Sequence, residues 1–248
     1  MIKIRSALGL LILYLMILFC AAVVTFRLSE PPTDTIAVMW RLLPVKLLLL
    51  ALCLGYVRYF SDWYSIGFRR PHWPSLLWLL PSIALMAVMA SDVAGTEDQR
   101  LIGLAAETWG LLVVVPLLIG ITEEIVFRGV LLRALNDRLP VFWAMLISAA
   151  LFALMHFIND LNGQPWMATL QQVGFAFLVG VFLAAVALRT GNLWGVIIWH
   201  ALWDFLVYLS RIAEVLHPYA LIGIMIQTLV SLWLWAQLIQ DDHQREVS

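Results

Sequence analysis

Long apolar runs, broken by short polar segments, dominate the pattern along the 248 residues. About twenty apolar residues suffice for a helix to cross a bilayer. Eight stretches come near that length, approximately Ala7–Phe26, Ile36–Val57, Leu76–Ala90, Leu101–Gly120, Val141–Phe157, Trp166–Leu188, Asn192–Leu209 and Tyr219–Leu238. The fourth is expected to continue past Arg128. No strand alternation competes with this pattern, so the chain reads as all-α, a polytopic membrane protein of about eight transmembrane helices. No internal repeat, low-complexity tract or linker divides it. One helical domain over residues 1–248 is expected, with its motif-bearing core at about 101–210.

Composition agrees. Hydrophobic residues make up 63% of the chain and charged residues 12%, against roughly 25% charged in soluble domains. The net charge of −1 and the lack of a basic run give nucleic acid nothing to bind. Cys20 and Cys53 lack paired spacing and read as buried small hydrophobes. The N-terminus, with Lys3 and Arg5 before a long apolar run, reads as a first span rather than a cleaved signal.

Basic loop residues orient a polytopic chain. Lys3, Arg5, Arg58, Arg69, Arg70, Arg128, Arg133, Arg138, Arg189 and Arg245 fall on the N-terminal side, and Arg27, Arg100 and Arg211 on the other. Both termini are therefore expected in the cytoplasm. Arg41 and Lys46 lie within the second stretch and are expected to snorkel from its outer half to the interface. Trp63, Trp73, Trp166 and Trp194 read as interfacial anchors. Ala149/Ala153 and Gly180/Ala184 read as small-residue contacts between helices.

A short set of ionisable residues remains in the spans: Glu123, Glu124 and Arg128 on the fourth, His156 on the fifth, and His200 with Asp204 on the seventh. Such residues are costly in a bilayer and point to function. Glu107 reads as interfacial. Glu124 and His156 each lie sixteen residues from Pro140, so in a helical hairpin both stand about 24 Å from the turn. His200 and Asp204 stand roughly 13 and 20 Å from the turn at Thr190-Gly191-Asn192. All four share a layer if the Arg128–Arg138 end projects beyond the bilayer.

Spacing within the helices separates the two glutamates. Glu124 and Arg128 are one turn apart in the favourable order and form an expected ion pair. Glu123 points about 100° away, shares a face with Phe127, and has no partner on its own helix. Burial and a neighbouring like charge suit it to act as a base, with His156 as partner across a water molecule.

The three elements Glu123-Glu124-x-x-x-Arg128, Phe152-x-x-x-His156 and His200-x-x-x-Asp204 resemble the motifs of the CAAX-protease and bacteriocin-processing (CPBP, or Abi) family of intramembrane endopeptidases, related to the type II CAAX prenyl endopeptidases. The resemblance covers Gly120 to Phe205. It implies an eight-helix fold enclosing a polar intramembrane cavity, with Glu123 and His156 activating the hydrolytic water. Glu124, Arg128, Phe127 and Phe152 would support them, and His200 with Asp204 would stabilise the oxyanion. It further implies a membrane-associated peptide or lipidated protein as substrate and a prokaryotic cell membrane as location.

Asp204 stands where the prenyl endopeptidases have Asn. A carboxylate cannot donate to an oxyanion, so Asp204 is protonated, or orients His200, or ligates a metal. The cofactor is thus none or a divalent metal such as zinc, with Glu123, His156, His200 and Asp204 as candidate ligands. A non-catalytic immunity or binding protein on the same fold, and a proton-coupled transporter, are the competing readings. The crowding of polar residues into helices four to seven disfavours transport, which commonly uses two related halves.

Overall fold

A computed structural model describes the backbone of residues 2–28, 32–70, 73–96, 99–217 and 220–247, and their side chains except 26, 27, 73–75, 99, 100, 220, 221 and 245–247. The side chains of Arg27, Trp73, Arg100 and Arg245 and the expected eighth-span start at Tyr219 lie outside the described residues.

Eight helices among the described residues are long and apolar enough to span a membrane. They are α1 (Ile4–Thr25), α2 (Thr35–Phe60), α3 (Leu76–Ala94), α4 (Ala106–Asn136), α5 (Val141–Leu161), α6 (Trp166–Thr190), α7 (Trp194–Ala213) and α8 (Ile222–Gln244). No strand occurs among the described residues. The chain is an integral, multi-pass membrane protein. The fourth span starts later than its apolar run, because Leu101 belongs to a separate short turn of helix, Gln99–Ile102.

The outer helices keep much of their leucine, isoleucine and phenylalanine surface exposed, as a lipid-facing wall does (Ile12, Phe19, Leu48, Met225 and Leu229, for example). Cys20 is exposed on this wall, contrary to the burial expected of it, because an apolar run says nothing about which face of a helix meets lipid. Cys53 is buried, with its thiol 3.8 Å from the Thr122 carbonyl oxygen.

At the centre stands α4, 72% buried across its apolar window against 22–44% for the other seven. It packs on α2 and α7. At Gly120 the α4 and α7 backbones close so tightly that a Cβ would meet the Ile197 carbonyl oxygen at 3.0 Å and the Ala201 nitrogen at 3.2 Å. The second tight crossing is the expected one. A Cβ on Gly180 of α6 would lie 3.0 Å from the Ala149 Cα of α5, so the small residues let these helices touch.

Past Glu124, α4 widens into a π-helical stretch, Ile125–Leu131. Such a stretch releases backbone carbonyls from the ordinary ladder. Ser148 of α5 donates to the Phe127 carbonyl oxygen at 3.0 Å and ties the two helices at that point.

Candidate active site

Every ionisable residue singled out from the sequence converges on the junction of α2, α4, α5 and α7. Glu123 and Glu124 end the regular part of α4 and are 5% and 0% exposed. The Glu124 Oε1 atom accepts from Arg128 Nη1 at 2.7 Å, the intrahelical pair that the spacing predicted. The same oxygen accepts from His200 Nδ1 at 2.8 Å, a link from α4 to α7.

Arg128 is wholly buried, with its guanidinium carbon 4.0 Å from the Phe152 ring centroid. It therefore belongs to the core and drops out of the basic loop residues, so the projecting end of the hairpin starts later than expected. The cause is local. A carboxylate one turn back and an aromatic face opposite hold the guanidinium inside the core.

Phe152 is the aromatic hub. Its ring meets Phe127, His156 and His200 edge-on, with centroids at 5.3, 5.1 and 5.9 Å. It holds both histidine planes. Phe127 is further fixed by an edge contact to Tyr14 of α1.

The ring orientations follow from hydrogen bonding. His156 Nδ1 lies 3.0 Å from the Phe152 carbonyl oxygen. A carbonyl only accepts, so Nδ1 is the donor and a neutral ring carries its lone pair on Nε2. In His200 the Nδ1 atom donates to Glu124, which leaves Nε2 at 3.6 Å from Asp204 Oδ2 and 3.9 Å from Glu123 Oε2. The carboxylate that orients His200 is thus Glu124. Asp204, for which orienting His200 was one of three expected roles, stands farther off on the opposite nitrogen.

Glu123 differs more from expectation. Lys46 of α2 is 4% exposed, and its ammonium lies 2.9 Å from Glu123 Oε1. The acid without a partner on its own helix has one from another helix. Lys46 cannot snorkel, because eleven residues separate it from Thr35 and fourteen from Phe60, about 17 and 21 Å of helix. That depth was readable in the sequence and is the signal that would have found it. Arg41 lies nearer the helix start, and its guanidinium donates to the Thr25 carbonyl oxygen at the end of α1.

Two connected chambers meet at these residues. A smaller one of about 160 Å³ is lined by Lys46, Glu123, His156, His200 and Asp204. A larger one of about 900 Å³ shares His156, His200 and Asp204 and runs between α6, α7 and α8. Its walls combine Phe175, Val179, Trp199 and Trp203 with the amides of Asn159, Asn162, Gln164 and Gln172. Asn159 and Gln164 both donate to Gln172 Oε1 at 2.9 Å. These amides lie at the end of α5, in the α5–α6 turn and in the first turns of α6. Their polarity in "HFINDLNGQPWMATLQQ" was visible, but not their place at the cavity.

The residue types would suit zinc, and the arrangement decides the fit. Among the described residues, no three His, Cys, Asp or Glu side chains come together in a way that could hold a metal ion. Both histidines donate from Nδ1 and keep Nε2 for the chamber, but the Lys46 ammonium, 2.9 Å from Glu123 Oε1, already neutralises a carboxylate that a cation would need there. The site as built fits proton chemistry among its own side chains.

Eight membrane-spanning helices thus surround a chamber faced by Glu123, His156, His200 and Asp204, with Glu124 behind His200. Residues 105–206, the motif-bearing segment, match the family model described as type II CAAX prenyl endopeptidase Rce1-like. The chain is also 27% identical over 154 residues to "Putative membrane peptidase YdiL" of Bacillus subtilis (strain 168). That alignment covers 57% of this chain and 58% of the relative, less than two thirds of its length. No solved structure matches.

Proposed function

We propose that the chain is an intramembrane endopeptidase that hydrolyses peptide bonds of membrane-associated peptides or proteins. The observation that carries this reading is the convergence of Glu123, His156, His200 and Asp204 on one chamber that opens into a larger cavity. The match of residues 105–206 to the Rce1-like family model supports it.

In this reading Glu123 Oε2 takes a proton from a water molecule, and His156 Nε2 orients the same water through its lone pair. The hydroxide oxygen forms a bond to the carbonyl carbon, and the carbonyl π pair moves to its oxygen. His200, as imidazolium held by Glu124, donates from Nε2 to that oxyanion. Collapse of the intermediate breaks the C–N bond, and the proton held by Glu123 passes to the departing amine. Asp204, close to Nε2 of His200, steadies the imidazolium.

The larger cavity suits an extended segment whose apolar side chains meet Phe175, Val179, Trp199 and Trp203 while its backbone meets the amide cluster. The basic residues on the N-terminal side support a cytoplasmic location for both termini.

The test is hydrolysis of a pooled library of internally quenched apolar peptides by purified protein. Glu123→Gln and His156→Ala should each abolish turnover while the helical circular dichroism spectrum is unchanged. Full activity in a folded Glu123→Gln variant would overturn the reading.

A further inference from the structure

We infer that Lys46 is the positioning residue of this site: it holds Oε1 of Glu123 so that Oε2 alone is offered to the water. This rests on the reading of Glu123 as the base. Lys46 lies on α2, outside all three motifs and outside the segment 105–206 that the family model covers.

The geometry supports the assignment at each step. The ammonium nitrogen is 2.9 Å from Oε1, and both side chains are almost sealed from the surface. Holding one oxygen of a carboxylate fixes the plane of the group, so Oε2 has a set direction. That direction is toward the chamber, where His200 Nε2 is 3.9 Å away and His156 lines the wall.

The nearby arginines stand differently. Arg128 is paired with Glu124 at 2.7 Å. Arg211 lines the chamber wall, but its side chain is exposed and it lies seven residues beyond Asp204 on α7, or about 10 Å along the helix. Of the lysine and arginine side chains, each of the two adjacent glutamates thus has one in contact, Arg128 from within α4 and Lys46 from α2.

The arrangement also explains how a second buried carboxylate is tolerated beside the first. An isolated buried charge is costly, and a hydrogen-bonded partner of opposite sign offsets much of that cost. A purely structural role, a tie between α2 and α4, would serve the same end. The two roles differ in what they do to turnover. A tie affects how much protein is folded, whereas a positioning residue affects the rate constant of each folded molecule.

The experiment uses the full chain in lipid nanodiscs and the quenched peptide library, with kcat and KM measured separately for Lys46→Met, Lys46→Arg, Lys46→Ala and Glu123→Gln. Misplacement of a reacting group by about an ångström costs roughly a hundredfold. Lys46→Met should therefore lower kcat by about ten- to a hundredfold with KM changed by about twofold or less, and Lys46→Arg should recover most of the loss.

In Lys46→Ala, added butylammonium should restore part of kcat, and tetramethylammonium, which has no N–H, should not. If Lys46→Met does not fold, Lys46→Gln is read by the same kcat and KM comparison. A folded Lys46→Met with the parent kcat, when Glu123→Gln is inactive, overturns this inference and leaves the base in place. Activity retained in Glu123→Gln instead overturns the reading of the base itself.

Discussion

Glu124 and His200 are joined across two helices, with Glu124 Oε1 accepting from His200 Nδ1 at 2.8 Å while the same oxygen accepts from Arg128 at 2.7 Å. One carboxylate oxygen thereby fixes a histidine on α7 and neutralises a guanidinium on α4. Breaking a buried pair by removing one partner typically costs about 3–5 kcal/mol. Arg128→Met should therefore lower the thermal midpoint clearly, read by loss of helical circular dichroism on heating. Glu124→Gln should lower it at least as much, since the amide oxygen still accepts but leaves the Arg128 guanidinium and the His200 imidazolium without their shared counter-charge. An Arg128→Met protein as stable as the parent would contradict the role given to the pair.

The Gly120 crossing sets the distance between the glutamates and His200. A Cβ there would lie 3.0 Å from the Ile197 carbonyl oxygen. Gly120→Val should push α4 from α7 and lower kcat by about a hundredfold, the scale of an ångström of misplacement. Gly110, where an added Cβ would meet nothing within 4 Å, supplies the control, and Gly110→Ala should leave turnover unchanged.

Phe152 touches Arg128 and both histidines. Truncating a buried phenylalanine costs about 3–5 kcal/mol through lost contacts and the cavity left behind. Phe152→Ala should reduce stability on that scale and reduce kcat in the fraction that remains folded, because neither histidine plane is then held. Phe152→Leu should keep more of both. Heat stability and turnover measured on the same preparations check the pair of effects.

The donor arrangement at Glu123, His156, His200 and Asp204 fits no metal among the described residues. Hydrolysis is therefore expected to survive a strong zinc chelator, and added zinc is expected not to raise kcat. Loss of turnover on chelation, restored by stoichiometric zinc, would contradict the proton chemistry assigned to the site.

The spans and the three polar motifs were legible because both are one-dimensional signals. Apolar runs have a length that a bilayer selects, and the pairs Glu124/Arg128 and His200/Asp204 repeat at one helical turn. The hairpin arithmetic about Pro140 also worked, bringing Glu123 and His156 to one chamber. What a single helix cannot reveal is which way a residue faces across to its neighbours. Lys46 looked like a snorkelling lysine and is a buried partner of Glu123. Asp204 was a candidate to orient His200, and Glu124, from another helix, makes the shorter contact to that ring. The π-helical stretch after Glu124 has no signature in residue type, and its one cross-helix tie, Ser148 of α5 to the Phe127 carbonyl oxygen, joins residues 21 apart in the chain.

The central claim is that Glu123 drives hydrolysis within the membrane. Its most direct test is the set of new peptide termini in the membrane fraction of cells making the parent chain, compared by mass spectrometry with cells making Glu123→Gln at equal abundance. A group of termini within or beside apolar segments should be present with the parent and absent with Glu123→Gln. Identical sets of termini in the two would contradict the claim.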